Sequence, residues 1–475
     1  GTGGVLKAWS VAQRSPVSGA NVTGVIGGIE QDIVKAGFNQ YGPHQGVDRE
    51  IVTFDLRGEH RLSPQVSVRG NFQFWQRAFS NDRWTTPNYT VNTGLFAGRE
   101  PFTETQPSDA SQGQVDLLAT FQLGRTAHKL LVTMDGSHQR AENNNWQMET
   151  AARNALPLTL RNLDWRNPDW TFFDVNQLTR VTRRQEQSSK LLGVLVSERM
   201  AVAEGRAILF GSVRFDRQWV SYDDYLARAN SADKSATQSS WSVGGNFRVW
   251  GDRVVLFGNT SSSFDPQTTI DRGTGELQEN ITAEGREIGA KGEILDKKLY
   301  WMATVYRIDR NDIPQANPSY QAGESGEFPP GVSQYIGAGA ERSEGAELEV
   351  FGDLTKSWSF TAAIGAMDAR TLKSLNDRAS IGVVLLRAPK TNWGVTTRYR
   401  FTDGPLKGIG AGAAVRYTDS YFARYGTFGS EVTGTGVITD QIRLRYGPAN
   451  RVEEFRPSTT LADVFVNYSF RTGRY

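Results

Sequence analysis

Gly58-Glu59-His60-Arg61-Leu62-Ser63-Pro64 leads at once into Gln65-Val66-Ser67-Val68-Arg69-Gly70-Asn71-Phe72-Gln73, and this short stretch sets the architecture of the chain. The first part is a tight polar turn. In the second, Val66, Val68 and Phe72 alternate with Gln65, Ser67, Arg69, Asn71 and Gln73. A period of two places successive side chains on opposite faces of a sheet, so this is a strand with one apolar and one polar face. Beyond it lies a much longer aromatic-rich segment, roughly residues 79–112.

The same rhythm recurs. Tight joints stand at Gly124-Arg125-Thr126-Ala127, Ala203-Glu204-Gly205-Arg206, Gly251-Asp252-Arg253, Leu295-Asp296-Lys297-Lys298, Gly352-Asp353-Leu354-Thr355-Lys356 and Thr402-Asp403-Gly404-Pro405-Leu406. Long segments run roughly over 141–186, 222–238, 265–281, 310–338, 371–385 and 420–457. One end of the molecule carries brief turns and the other carries long loops, which is the asymmetry of an outer-membrane barrel. Trp358, Phe360, Ala362 and Ile364 alternate with polar and small residues, as do Ala462, Val464, Val466, Tyr468 and Phe470. The strands flanking the turns read as about 10–14 residues, enough to cross a tilted bilayer and longer than most soluble strands. The expected fold is all-β: a transmembrane antiparallel up-and-down β-barrel with about fifteen strands visible.

Composition is compatible with this reading. The chain of 475 residues is 38% hydrophobic, and its mean hydropathy is −0.46. A barrel strand escapes a hydropathy test because every second residue is polar. There is no cysteine, which excludes disulfides and thiolate metal sites, and a net charge of +2 offers no nucleic-acid surface. A soluble propeller would repeat at a fixed period, and these spacings do not. Residues 1–48 are expected to be an irregular segment holding an early barrel strand or a loop, with Val22–Ile29 and Val34–Phe38 undecided between strand and loop. Residues 49–475 are expected to form the barrel with long extracellular loops, incomplete at its C-terminal end.

Val254-Val255-Leu256-Phe257-Gly258-Asn259-Thr260-Ser261-Ser262-Ser263-Phe264-Asp265-Pro266 is a strand ending in Ser-x-Ser-Phe-x-Pro. Arg342-Ser343-Glu344-Gly345-Ala346-Glu347-Leu348-Glu349 is an Arg-Ser-x-Gly-x-Glu-hydrophobic-Glu segment at a hairpin. With Glu284–Gly292, Val305–Asn311 and Ala388–Gly410, in this order, these segments resemble the ferric siderophore type of TonB-dependent outer-membrane receptors. The resemblance implies a barrel of about 22 strands around a plug domain. It also implies uptake of a ferric siderophore as transported ligand, not as a bound cofactor, driven by the TonB-ExbB-ExbD complex through a TonB box. Neither a plug nor a TonB box precedes Gly1, and the family's last strands do not follow Tyr475, so the chain is expected to be the central barrel portion. The expected setting is a monomeric barrel in the outer membrane of a Gram-negative bacterium, in contact with lipid and lipopolysaccharide, with no nucleic-acid partner and no enzymatic activity. Uptake of cobalamin or a saccharide, and a passive pore, are the alternatives.

Other constellations carry less. Gly408-Ile409-Gly410-Ala411-Gly412 lacks the helix that a nucleotide loop needs and continues into a strand. His44, His60, His128 and His138 are not spaced as metal ligands. Asp223-Asp224 and Glu453-Glu454 read as solvated acids on loops. Arg69, Glu347, Glu349 and Arg416 are expected to face the lumen. Ligand contacts are expected in the loops, where aromatics offer flat faces to a chelate's organic shell and arginines suit anionic oxygens. The candidates are Trp84, Tyr89, Phe102, Trp146, Arg161, Trp165, Trp170, Tyr421 and Tyr425, beside Phe96, Phe172, Phe173, Phe422, Arg424, Phe428, Arg443 and Arg445.

Overall fold

The computed structural model describes residues 2–11, 23–26, 29–32, 46–85, 88–90, 95–171, 173–228, 231–271, 276–317, 334–375, 380–427 and 451–469. Strand β1 (Thr2–Val11) is followed by a small hairpin of β2 (Thr23–Ile26) and β3 (Ile29–Asp32), then by β4 (Gly46–Arg61) and β5 (Val66–Trp84). Three short strands, β6 (Asn88–Thr90), β7 (Leu95–Ala97) and β8 (Pro101–Thr105), lead to β9 (Ser108–Leu123) and β10 (Thr126–Gln147). Helices α1 (Thr150–Ala155) and α2 (Leu158–Arg161) and strand β11 (Leu163–Asp164) occupy the next loop. Beyond them come β12 (Arg180–Val202), β13 (Ala207–Asp224), β14 (Ala232–Trp250), β15 (Val254–Asp265), β16 (Ile281–Ile294) and β17 (Leu299–Ala316). The series closes with β18 (Tyr335–Thr355), β19 (Trp358–Lys373), β20 (Thr391–Arg400), β21 (Ile409–Thr418), β22 (Tyr421–Thr427), β23 (Arg451–Arg456) and β24 (Thr459–Tyr468).

The wall is one antiparallel meander in the order β1, β4, β5, β9, β10, β12 through β21 in sequence, and β24. β8 extends the line of β9 and pairs with both β5 and β10, which brings the sheet to 17 strands. All seven tight joints expected from the sequence connect neighbours in this meander. The expectation of about fifteen strands omitted β1, which pairs with β4 from Thr2↔Asp55 to Val11↔Gly46. The last strand, β24, pairs with β21 from Ile409↔Tyr468 to Thr418↔Thr459. Val34–Phe38 and Arg471–Tyr475 lie outside the described residues.

Strand length is a correction too. The strands of the meander run from 10 residues in β1 to 23 in β12, beyond the expected span. The physical reason is visible in β12. Its tight-turn half alternates Leu192, Val194 and Val196 on one exposed face, whereas Thr182 to Lys190 is polar on both faces. Alternation marks only the part in lipid; the ladder continues into water, where neither face needs to be apolar.

Two faces follow from the parity. Val115 and Leu117 on β9, Met134 on β10, Val213 and Phe215 on β13, Trp241 and Val243 on β14, Ile288 on β16 and Val305 on β17 are exposed apolar residues of a single outward face. Trp358, Tyr399 and Phe247 stand near the tight-turn rim of this band, and stacked Trp393 and Tyr417, 5.7 Å apart, stand toward the other. Eight or more residues beyond the turns, outward charges replace apolar side chains: Arg286, Arg307 with Asp309, Arg342, and Asp368 with Arg370. Such a band bounded by aromatics and charges is a lipid-facing belt. Among the described residues no helix is long and apolar enough to cross a membrane.

The inward face is polar and tightly bonded. Arg69 and Thr133 approach Asp116, and Arg416 bonds Asp463 at 2.9 Å. Glu347 and Glu349 share the inward parity of β18, opposite Thr304 and Met302.

Candidate functional site

The loops after β5 and β10 pack into a single knot at the long-loop end. β7 joins them directly, through Phe96↔Leu163 and Leu95↔Asp164, and β6 pairs onto its other edge. Phe96, Leu163, Leu160, Met148 and Phe102 are buried together with Trp84. A helix N-cap side chain is missing at both α1 and α2, so these short helices are held by tertiary packing, not by their own ends.

Arg99 lies at the centre of this knot and is only 1% exposed. Its guanidinium sits 4.6 Å from the Trp84 ring and 6.0 Å from that of Trp170, so it is clamped between two aromatic faces. Its backbone N–H donates to the Arg161 carbonyl at 2.9 Å, and Nη1 donates to the Leu160 carbonyl at 3.3 Å. Among the described residues, Nε and Nη2 find no acceptor. Burial pushes this guanidinium down to about 10, against the pull of Asp169. Trp84 also meets Phe173 edge to face at 5.4 Å. Asp169 accepts from the Thr171 N–H at 3.0 Å and from the Thr159 hydroxyl at 2.9 Å, and these bonds, first the backbone N–H of Thr171, hold its carboxyl below the ordinary value.

Of the residues expected from sequence, the structure brings Trp84, Phe102, Arg161, Trp165 and Trp170 into or beside this knot. Trp84 and Phe102 are core; Arg161, Trp165 and Trp170 are half-buried at its rim. Arg166 stacks over Trp165 at 5.0 Å. Trp146 lies on β10 between Thr103 and Val181 of the flanking strands. Tyr421 is apart from the knot, half-buried on β22, which pairs with β23 in a separate two-stranded sheet. Tyr89 and Tyr425 are placed by their backbones alone, opposite Phe96 and Glu453. Phe172, Phe428, Arg443 and Arg445 lie outside the described residues. Sequence reasoning missed Arg99: Gly98-Arg99-Glu100 has no periodic or motif signal, and only the return of the next loop over it makes it central.

A second loop bonds to the inward face of the wall. Inward-facing Gln187 of β12 and Gln218 of β13 donate to the carbonyls of Thr268 and Gln267, at 2.8 and 2.9 Å. Asp271 in the same loop accepts from the N–H of Tyr335 at 2.6 Å. The described part of this loop is therefore tied to the wall on three strands, β12, β13 and β18.

A lipid-facing belt, a polar inward wall, brief turns at one rim and packed aromatic loops at the other define an outer-membrane β-barrel. Residues 8–474 match the family model described as TonB dependent receptor-like, beta-barrel, and the chain belongs to the TonB-dependent receptor family. It is 28% identical over 311 residues to the metal-pseudopaline receptor CntO of Pseudomonas aeruginosa (strain UCBPP-PA14), covering 64% of this chain and 40% of that protein. It is 23% identical over 389 residues to the ferrichrome outer membrane transporter/phage receptor of Escherichia coli (strain K12), covering 80% of this chain and 48% of that protein. The chain thus spans less than half the length of these relatives. Its fold is similar to that of the pyoverdine outer membrane receptor FpvA from P. aeruginosa PAO1, with a TM-score of 0.68 at 17% identity over 91% of this chain and 57% of that one. BauA, the ferric preacinetobactin receptor from Acinetobacter baumannii, gives a TM-score of 0.66 at 13% identity, over 91% and 58%.

Proposed function

We propose that this barrel belongs to a receptor that captures a ferric siderophore at its outer loops and delivers it to the periplasm with energy supplied through TonB, ExbB and ExbD. The observation that carries the reading is the loop knot at the mouth, where arginines and tryptophans converge in a chain of this family. Arg161, Trp165 and Trp170 at the rim of the knot, with Tyr421, Tyr89 and Tyr425 on neighbouring segments, would meet the chelate. Trp84, Phe102 and Trp146 would hold that surface in shape. A chelate of this kind is large, anionic and partly flat, which suits aromatic faces beside guanidinium groups. Bilayer lipid and lipopolysaccharide would surround the belt.

The test is uptake of radiolabelled iron presented on a panel of hydroxamate, catecholate and carboxylate chelators, in iron-limited cells with and without TonB. Saturable uptake of one chelate that vanishes without TonB is the expected result. Uptake that persists without TonB would make the barrel a passive pore, and binding of cobalamin or a saccharide in place of every chelate would change the cargo. A second reading, uptake of a metal–pseudopaline complex, is favoured by the similarity to the metal-pseudopaline receptor, and adding pseudopaline loaded with iron or with divalent metals to the same panel separates it.

A further inference from the structure

At the tight-turn end, the inward face of β10 to β16 carries positive charge without a matching acid. Lys129 shares the parity of inward Thr133, Arg199 that of inward Gln187, and Lys291 is out of phase with outward Ile288. Lys129 of β10 stands directly opposite Arg199 of β12, and both are exposed. Like charges in direct register on one face of a sheet repel, with their Cβ atoms about 5 Å apart. Arg199 also lines a pocket of about 270 Å³ beside the β12–β13 and β14–β15 turns, together with Arg248, Asp252 and Lys291. Val255, at its back, pairs with Arg248 on one side and with Lys291 on the other. The Lys291 Nζ lies over the Phe257 ring at 5.0 Å, a contact that orients the charge without neutralising it.

Nearby acids are engaged elsewhere. Asp252 is held by the Arg248 Nε at 3.0 Å, and the same guanidinium donates to the Gly205 carbonyl. Glu293 meets Lys297 at 3.6 Å, Glu287 accepts from Asn259 at 2.9 Å, and Glu198 is bonded to His128 on the outward face. Glu349 is separated from Lys291 by Met302 on the strand between them. Glu204 and Asp296 stand out on the turns themselves, Asp296 beside Lys297 and Lys298. Among the described residues, none of Lys129, Arg199 and Lys291 has a carboxylate partner.

We propose that this pocket is a site for a multivalent oxyanion, a polycarboxylate or an oligophosphate, held by Arg199 and Lys129 at one end and Lys291 at the other. An anion among these cations turns their mutual repulsion into attraction. Arg199 offers a planar fork to a pair of oxygens, and each lysine offers a point charge. Tight turns of an outer-membrane barrel face the periplasm, so the site lies at the lower end of the shaft. Its anion has two sources, the acidic groups of a departing chelate or a free periplasmic anion. The site itself rests on the inward parity of these strands and not on the identity of the cargo.

The experiment uses the full-length receptor in detergent, titrated with tripolyphosphate and treated briefly with an amine-acylating ester. Peptide mass mapping then reads Lys129 and Lys291 against Lys407, an exposed lysine on a different turn. Tripolyphosphate is expected to protect Lys129 and Lys291 over one concentration range and to leave Lys407 reactive. Arg199→Gln, which removes one of the opposed like charges, should raise the half-protecting concentration about tenfold. Inorganic phosphate, too short to reach both ends, should need at least about tenfold more than tripolyphosphate. Equal protection at Lys407, no change in the variant, or equal potency of inorganic phosphate would overturn the proposal. So would lysines 129 and 291 that resist acylation before any anion is added, because another part of the receptor would then fill the site. Heat-modifiable migration on gels reports folding, and protection in the unsubstituted receptor decides the matter should the variant fail to fold. Iron uptake by cells carrying Arg199→Gln separates the two sources. Slower uptake at unchanged surface binding of the chelate assigns the anion to the departing cargo, and unchanged uptake assigns it to the periplasm. Loss of chelate binding with the protection intact would count against the receptor reading only.

Discussion

Arg214 on β13 donates to both oxygens of Asp135 on β10, each at 2.7 Å, across a strand to which neither belongs. The residue between them is Gly193 of β12, opposite Asp135 on one side and Asp216 on the other. A methyl on Gly193 would stand 2.6 Å from the Arg214 Cζ and from the Asp216 Oδ1. The missing side chain is thus what lets one guanidinium clamp three strands, with Asp216 accepting from it at 2.7 Å. Gly193→Ala is expected to cost about 2–4 kcal/mol, as breaking a half-buried charge pair does. The urea midpoint of the refolded protein checks it, and an unchanged midpoint would show that the clamp contributes nothing.

The knot depends on the Arg99 side chain as packing more than as charge. Arg99→Met keeps most of the volume between Trp84 and Trp170 and removes two donors without acceptors, so knot stability should move by no more than about 1 kcal/mol. Arg99→Ala leaves a void of the kind that costs about 2–4 kcal/mol. Protease sensitivity of residues 148–179 in the folded protein separates the two: nicking should rise with alanine and not with methionine.

Acid should loosen the same knot. Because the folded protein holds the Asp169 carboxyl below its unfolded value, near 3.8, the stabilisation is complete above that value and fades as pH falls through the lower, folded one. Amide exchange across residues 159–171 should therefore accelerate as pH drops below about 4, after correction for intrinsic rates. Asp169→Asn should be faster throughout and lack that acid step; a step of the same size in the variant would assign it to another group.

The outward face can be tested at Val243, which is 50% exposed in the belt, four residues from Phe247 at its tight-turn rim. Val243→Arg should destabilise the barrel by about 2–4 kcal/mol in bilayers, since lipid offers the charge no water. The same variant in a soluble protein with an exposed valine would be close to neutral. Folding yield into vesicles against urea gives the answer.

The architecture was readable because it depends on local chemistry: turn residues between alternating strands identify a hairpin without knowledge of its neighbours. Strand ends were not readable, since Thr182 to Lys190 has no apolar face to betray its ladder. β1 was hidden for a related reason, as Gly3, Gly4 and Lys7 interrupt the alternation. At the mouth, the aromatic content named Trp84, Phe102 and Trp170, but which of them become core is decided by contacts between segments some 60 or more residues apart, as in the Arg99 to Leu160 bond. No local pattern encodes that meeting.

The polar upper half of β12 has a consequence of scale. Ten residues separate Lys190 from Arg180, and at a rise of about 3.3 Å on a strand tilted by about 40°, the wall stands about 25 Å above the lipid edge. The loops are therefore held at the top of a turret, within the sugar layer of the cell surface. Whatever docks there has still to descend a protein-walled shaft before it reaches the plane of the membrane, so recognition and crossing take place at separate levels of the same molecule.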